Sequence, residues 1–443
     1  MKIEDICTRI CSGGTPKSGK AEYYENGTIP WLNTKEINFN RIQATETFIT
    51  EEGLNNSSAK WIKPHAVIVA MYGATAGRVA VAETPLTTNQ ACCNLEVDET
   101  IADYRYIYYW LKQNFDNIAG LANGGAQQNL SAKVIRQIEI NLPDLIKQRS
   151  IANFLDSFDS KIEANAKLNG YLGEQCEAIA GHEKGHIVEL ASLCDLVKDK
   201  ADYSEANFDT YVSTESLLPG KKGRQAPSSL PQAGKITVYK VGDILVSNIR
   251  PYFKKIWYAD QAGTCSGDVL VFRAKQPEQS GYLYSCMRSD SFFDYVMKGA
   301  KGTKMPRGDK KQMLTYKVGG SPNGATIDFI ESALNQASSI SKENRKLAAF
   351  RDALLPKLMS GEIDVSKIDL MQLNSHLTEC AQEIKKGAIE PNLTLYSSKH
   401  PTIVKFLIRC SKMVLGIIQS HPVAFFANAL DGVFEGPVKL LGA

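Results

Sequence analysis

The chain of 443 residues repeats itself at long range, and this repeat limits the folds open to it. The segment KPHAVIVAMYG resembles KVGDILVSNIR, the loop GGAQQN resembles KGTKMP, and two similar helical segments end the halves. The three offsets agree within two residues, which predicts two homologous halves, each a globular unit followed by a long helix. The landmarks are His65 with Asp243, Gly125 with Gly302, and Asn165 with Asn344.

The end of each half has apolar residues in alternating steps of four and three. This heptad spacing predicts helices, at about 144–180 and 325–358, that pair through one seam. Each seam is too short and polar to support an isolated helix, so we expect intramolecular pairing, with two ordinary core helices as the alternative. The predicted interface residues are Ile151, Leu155, Phe158, Ile162 and Asn165 in the first helix and Ile330, Leu334, Ala337, Asn344 and Leu347 in the second.

Short β-rich runs such as AVIVAMYG and DILVSNI, broken by turn residues, predict mixed α/β units. One aromatic-rich helix is expected in each, at Tyr104–Phe115 and Tyr282–Val296. The predicted fold is α/β, with two homologous domains separated by a pair of long antiparallel coiled-coil helices in pseudo-two-fold symmetry. The expected divisions are 1–143 (first domain), 144–185 (spacer helix and linker), 186–318 (second domain), 319–370 (second spacer helix) and 371–443 (an extension of unknown role).

The composition excludes a histone-like polycation. The formal net charge is only +3, so any nucleic-acid site must be a local patch of basic residues. Ten cysteines, with no C-x-x-C pair and no apolar leader of signal-peptide length, predict reduced thiols and a cytoplasmic location. The amphipathic stretch 402–418 carries three basic residues, so no membrane span is expected there.

Several motif-like segments lack the residues that their chemistry needs. GTPKSGK is followed by Ala21, where a phosphate-binding loop needs Ser or Thr for magnesium. HEKGH, at His182 and His186, has the H-E-x-x-H spacing of a zinc-protease helix, but Gly185 lies in a polar linker and a third ligand is also needed, so we expect a solvated linker. Asp159 lies on the heptad helix, where we expect a solvated flank rather than a nuclease carboxylate. No methyltransferase signature is present, so we expect no metal, no cofactor and no catalysis in this chain.

The candidate DNA-binding residues lie on loops. Residues 298–317 contain seven basic residues and one acid, although a charge run is also typical of a solvated surface. The equivalent loop of the first half is rich in amides, which can pair with adenine edges. The candidates are Lys35, Arg78, Gln127, Gln128 and Asn129 in the first half and Asn248, Arg250, Lys254, Lys255, Lys301, Lys304 and Arg307 in the second.

Motifs in order along residues 1 to about 370 resemble the specificity subunit of a type I restriction-modification system. They are GGTPKS, IPWLNTKEI, FITEEGLNNSSAKWI, IKQRSIANFLDSFDSKIEANAKLNGYL and LAAFRDALLPKLMSGEI. The resemblance implies that each unit is a target-recognition domain for one half of a split site in double-stranded DNA. It also implies that the helices set the distance between half-sites and dock two methyltransferase subunits, which restriction (translocase) subunits join.

The same resemblance implies adenine methylation, with the methyl donor, ATP and magnesium bound by the partner subunits. Three other functions stay open at this point. The chain could be a stand-alone regulator that binds bipartite DNA, or a single-chain modification enzyme. It could also be a membrane-associated adaptor that works through residues 371–443.

Overall fold

The computed structural model describes residues 1–121, 130–183, 186–320 and 322–365. The first half contains β1 (Cys7–Ser12), β2 (Ile29–Leu32), β3 (Asn40–Ile42), β4 (Thr47–Ile49), α1 (Glu51–Asn55), β5 (Trp61–Ile62), β6 (Val67–Ala70), β7 (Val79–Ala82), β8 (Leu86–Thr88), β9 (Cys92–Val97), α2 (Tyr104–Gln113), α3 (Phe115–Gly120), α4 (Ala132–Gln137) and α5 (Leu145–Gly181).

The second half resembles the first in the later part of this order and differs from it in the early strands. It contains β10 (Ile187–Glu189), α6 (Leu190–Leu193), β11 (Cys194–Leu196), β12 (Lys200–Asp202), β13 (Lys235–Tyr239), β14 (Ile244–Ser247), β15 (Ile256–Tyr258), β16 (Gly263–Cys265), β17 (Val269–Ala274), α7 (Ser280–Met287), α8 (Asp290–Lys298), α9 (Lys310–Leu314), β18 (Lys317–Gly319) and α10 (Gly324–Ser360). Residues 371–443 lie outside the described residues.

The sheets of the two halves share one central arrangement. The first unit has a sheet in the order β1-β9-β6-β7-β3, and the second has one in the order β11-β17-β14-β15. The middle strands are buried on both faces, which suits their run of β-branched and other apolar residues. A second sheet differs, because β8 pairs with β2 in parallel whereas β16 pairs with β13 antiparallel. The mixed α/β fold predicted from the sequence is therefore confirmed.

The structure shifts one of the residue pairs that the sequence repeat had predicted to be equivalent, His65 with Asp243, by one residue. The backbone N–H of His65 donates to the carbonyl of Ala82, and the N–H of Gly242 donates to that of Ala259. Both donors have a left-handed backbone, with φ of 70° and 85°. His65 is therefore equivalent to Gly242 and not to Asp243, since both occupy the same left-handed position of the turn before β6 and β14.

The long helices α5 and α10 have 37 residues each, and their N-caps are equivalent. The side chain of Asp144 accepts a hydrogen bond from the N–H of Lys147 at 2.9 Å, and Asn323 accepts one from Thr326 at the same distance. The helices are antiparallel, because the residue numbers of contacting pairs rise along one helix as they fall along the other. These pairs are Phe158 with Phe350, Asn165 with Asn344, and Asn169 with Ser341.

The predicted interface residues lie largely out of solvent. Seven of the ten are buried, and three (Ile162, Ala337 and Asn344) are half-buried. Burying one large apolar side chain contributes roughly 1.5–3 kcal/mol, so the seam supplies much of what holds α5 and α10 together. Ile330 and Leu334 also contact α7, where a Cβ on Gly281 would approach them to 3.1 Å and 3.0 Å. The predicted coiled-coil pairing within the chain is confirmed.

The aromatic-rich helices are shorter than the sequence predicted, because each is interrupted. Asn114 ends α2, and its side-chain amide donates to the carbonyl of Trp110 at 2.9 Å. In the second unit α7 ends at Met287, and Ser289 caps α8 by accepting from the N–H of Phe292 at 3.2 Å. Each predicted helix is therefore two helices, separated by polar residues that satisfy backbone groups at the helix ends. Among the described residues, no helix combines the length and apolar content that crossing a bilayer requires.

Asp159 was expected on a solvated flank, and that expectation is wrong. Its carboxylate accepts a 2.6 Å hydrogen bond from the hydroxyl of Tyr109 on α2 and pairs with Arg351 on α10. The side chains of Asp159 and Arg351 are each 13% exposed. Burial, with the charge of Asp159, holds the pKa of Tyr109 well above its ordinary value, so the hydroxyl remains a donor. This cluster fastens the first unit to both long helices.

Replacing Asp159 with Ala should lower the free energy of unfolding by about 3 kcal/mol, because Arg351 and Tyr109 would lose their shared buried carboxylate and Arg351 would keep only the exposed Asp352. Urea unfolding followed by tryptophan fluorescence measures this. Asp352→Ala is the matched control, since Asp352 pairs with the same arginine but is 51% exposed. Its cost should stay below about 1 kcal/mol. Equal costs for the two variants would show that Asp159 is solvated after all.

Candidate nucleic-acid interface

The loop after β14 has an unusual backbone. Arg250 and Lys254 both adopt the left-handed conformation, with φ of 51° and 50°, on either side of a short 3-10 turn. The equivalent residues of the first unit are Gly73 and Gly77, also left-handed. Glycine adopts this conformation without steric cost, whereas Arg and Lys do not. The second unit therefore projects charged side chains from two positions where the first has none.

Two other loops brace this one. The N–H of Arg250 donates to the carbonyl of Pro306 at 2.7 Å, within a small hairpin closed by two 2.9 Å bonds between Lys301 and Arg307. On the other side, the N–H groups of Gly220 and Lys221 donate to the carbonyls of Phe253 and Lys254 at 2.8 Å and 2.9 Å. We call residues 218–224, 248–255 and 299–308 together the three-loop surface. Two of its loops are the basic segments that the sequence singled out.

The hairpin carries the most accessible cations of the three-loop surface. Lys301, Lys304 and Arg307 are all exposed, and the side chain of Lys301 is 85% exposed. Their acidic neighbours are weak partners, since Lys301 lies 3.5 Å from Asp309 and Arg307 lies 3.3 Å from Asp268, both at the surface. Such exposed pairs contribute little and open readily. These cations are available to phosphates, as is the exposed Arg250.

Three predicted DNA-binding residues of this unit have structural partners instead. The ammonium of Lys254 lies 2.9 Å from Asp290, and that of Lys255 donates to the carbonyl of Thr214 at 2.7 Å. Burial lowers the pKa of Lys255 from its ordinary value. Asn248 is buried beneath the loops, where its backbone carbonyl accepts from the N–H of Gly308. Its backbone supports the loop, and its proposed contact with DNA stays a prediction.

The first unit presents fewer candidate cations. Lys35 is exposed and pairs with Glu46 at 2.7 Å. Arg78 is half-buried and donates to the side chain of Asn38 at 2.9 Å. The amide-rich residues Gln127, Gln128 and Asn129 lie outside the described residues. Their contribution, like that of the other candidates, stays a prediction.

The list of candidates taken from the sequence left out three residues of the three-loop surface. Lys222 is exposed in the turn PGKKGR, a basic segment between glycines that resembles the segments singled out. Tyr252 and Phe253 are also exposed, at 48% and 40%. The aromatic pair could have been found from its position between Arg250 and Lys254. Within the described ranges, no group of three or more His, Cys, Asp or Glu side chains is arranged to hold a metal ion.

The comparisons with known proteins agree with one another on the family that the chain resembles. Residues 1–172 match the family model described as the type I restriction modification DNA specificity domain. The EcoR124I/EcoR124II specificity subunit of Escherichia coli is 30% identical over 153 residues, which cover 33% of this chain and 38% of that protein. The MjaIX specificity subunit of Methanocaldococcus jannaschii is 32% identical over 175 residues, which cover 39% and 40%.

The chain thus spans about two fifths of the length of these curated relatives. A crystal structure of a type I restriction-modification S subunit from M. genitalium aligns with a TM-score of 0.45 and 17% identity, over 81% of this chain and 95% of that one. The family model covers the first globular unit and most of α5. The resemblance carried by the sequence motifs is confirmed for this part of the chain.

Replacing Lys301, Lys304 and Arg307 together with Ala should weaken DNA binding similarly for all sequences. Each lost phosphate contact should reduce the slope of log affinity against log salt by about 0.9. Fluorescence anisotropy over a series of salt concentrations measures the slope. The matched control replaces three exposed lysines of α10 with Ala and should leave the salt slope unchanged. These are Lys342, Lys346 and Lys357. Unaltered binding by the first triple at low salt would show that the hairpin is only a solvated surface.

Proposed function

We propose that this chain, whose first 172 residues belong to the type I restriction modification DNA specificity domain family, is the DNA-recognition subunit of a type I restriction-modification complex. One observation carries the proposal: the unit that matches the family model occurs a second time, with the same central sheet and the same long helix. Two such units on one chain suit a DNA site with two separate halves.

The helices would set the distance between the halves. The first unit contacts α5 through Asp159, and Arg41 on β3 pairs with Asp156 on the same helix. The second unit contacts α5 through Arg288, which pairs with Glu177 at 3.3 Å. Asp156 and Glu177 lie 21 residues apart, about 32 Å of helix at 1.5 Å per residue. This is close to one turn of DNA, about 34–36 Å, so both units would face the same side of the duplex.

We assign residues 1–143 and 186–318 to two target-recognition domains and residues 144–185 and 319–370 to the spacer. The bases of one half-site would differ from those of the other, because the two domains have diverged in their loops and second sheets. The DNA-contacting residues would be the candidates named above, led by Arg250, Lys301, Lys304 and Arg307. Lys254, Lys255 and Asn248 would act by holding the loops in place.

Catalysis would belong to partner subunits. Two methyltransferase subunits would dock on the paired helices and methylate adenine, and restriction subunits would join them. The methyl donor, ATP and magnesium would bind those partners. The complex would act on chromosomal DNA in the cytoplasm, where the described cysteines, all free thiols, would remain reduced.

Deleting the gene from its host should abolish adenine methylation at one split motif and leave all other methylation intact. Long-read sequencing that detects modified bases measures this, with the chain resupplied from a plasmid as the control. Expression without the methyltransferase partners should give no methylation. Sequence-specific binding with an unchanged methylome would identify the chain as a stand-alone regulator instead.

Inserting four residues after Ala164 and four more after Arg345 should widen the gap between half-sites. These positions face each other in the antiparallel pair. They lie between the residues that contact the first unit, Glu163 and Asp352, and those that contact the second, Glu177 and Arg345. Each insertion adds about 6 Å, roughly one helical turn. The gap in the methylated motif should grow by one or two base pairs, with both half-site sequences unchanged.

The control for this experiment is an insertion in one helix only. It should mismatch the seam and lower thermal stability, since α5 and α10 would no longer align. If the double insertion leaves the gap unaltered, then the methyltransferase partners, and not the helices, fix the distance.

A further inference from the structure

We propose that Tyr252 and Phe253 form an aromatic wedge that inserts between adjacent base pairs in the half-site bound by the second unit. The inference rests on the proposed function and deepens it. Besides contacts with phosphates and base edges, the second unit would also contact the faces of the stacked bases. The wedge would contribute to sequence specificity as well as to affinity.

The two side chains are unusually accessible for large aromatic residues. They are 48% and 40% exposed, and their ring centroids lie 4.7 Å apart with the planes tilted by 54°. They occupy the last two positions of the short turn that begins at Pro251, whose own side chain is buried. The buried proline anchors the turn while the two rings project from it.

The loop that carries the rings is held on both sides. The carbonyl of Phe253 itself accepts the 2.8 Å bond from Gly220, and the adjoining Arg250 donates to the hairpin. Lys254 adds an ion pair with Asp290, which also lies 2.7 Å from Lys221. A loop fixed in this way loses little conformational entropy on binding, which favours an insertion that must be aligned with the base stack.

The charges around the rings indicate double-stranded DNA as the occupant. Exposed cations lie on each of the three loops, at Lys222, at Arg250 and on the hairpin at Lys304. An apolar pair flanked by cations matches a base stack flanked by phosphates. Apolar side chains such as Phe enter DNA by parting a base step, and aromatic rings stack on the bases they meet.

The two positions of the first unit that are equivalent to Tyr252 and Phe253 carry no aromatic ring, which makes this wedge specific to one half-site. The loop between Gly73 and Gly77 reads Ala-Thr-Ala, so the equivalents of Tyr252 and Phe253 are Thr75 and Ala76. Neither side chain can part a base step. Unstacking by residues at these two positions should therefore occur in the second half-site and not in the first.

The test uses the full chain with its methyltransferase partners, bound to the split site that the methylome defines. 2-Aminopurine, which pairs with thymine, replaces single adenines within and beside each half-site in turn, except the methylated adenines, and its fluorescence rises when it is unstacked. We expect a rise at one step of the second half-site. Tyr252→Ala/Phe253→Ala should abolish the rise and weaken specific binding roughly ten- to hundredfold, as loss of base stacking does. The salt dependence should stay unchanged, because no cation is lost.

Two further variants sharpen the result. Phe48→Ala removes an aromatic ring of matched exposure, 40%, from the first unit and should leave the signal of the second half-site intact. Phe253→Leu should retain part of the signal, since leucine also serves as an apolar wedge. Both positions are at the surface, so circular dichroism should show unchanged folding for every variant.

Wild-type complex that binds its split site without unstacking any step of the second half-site would overturn the wedge while leaving the proposed function standing. So would a double variant that keeps the signal. Wild-type complex that binds no split site would refute the proposed function, and the wedge with it.

Discussion

The hydrogen bond between Asn165 and Asn344 is the contact on which the arrangement of the molecule depends. The side-chain amide of Asn165 donates to the carbonyl oxygen of Asn344 at 2.8 Å, and Asn344 donates to the backbone carbonyl of Ile162 at 3.1 Å. The two asparagines are equivalent in the internal repeat. A contact between equivalent residues must lie on the axis that relates the halves. A polar pair in an apolar seam also penalises shifted registers, since any slip would leave buried amides unpaired.

Given that axis, the two units are attached to α5 and α10 by different chemistry. The first unit uses a buried cluster of Tyr109, Asp159 and Arg351. The second unit is attached by the ion pair between Arg288 and Glu177 of α5. The guanidinium of Arg288 lies close to Gly173, where an added Cβ would be 2.7 Å from it. A side chain at position 173 would therefore force the guanidinium of Arg288 to shift. Partly buried ion pairs contribute little net stability but are costly to break, so they fix the orientation of each unit.

The sequence was informative wherever the signal is local and periodic. Steps of four and three residues predicted both long helices and placed Asn165 with Asn344, because a seam residue recurs on one helical face whatever surrounds it. The environment of Asp159 could not be predicted, because Tyr109 lies on another helix and no residue spacing in the sequence indicates this contact. The buried position of Asn248 was hidden for the same reason. The left-handed backbone of His65 was also hidden, because histidine gives no sign of a conformation that glycine would have revealed.

Two left-handed residues of the second unit, Arg250 and Lys254, lie on the loop that we propose to contact DNA. The first unit shows that glycine suits these positions, at Gly73 and Gly77. Arg250 and Lys254 replace them at a cost of about 1–2 kcal/mol each. Lys254 offsets its cost through Asp290, whereas the exposed Arg250 has a brace only on its backbone. Backbone strain that the surrounding structure maintains is typical of functional sites. The strained Arg250 beside the two exposed rings therefore supports the DNA contact that we propose for this loop.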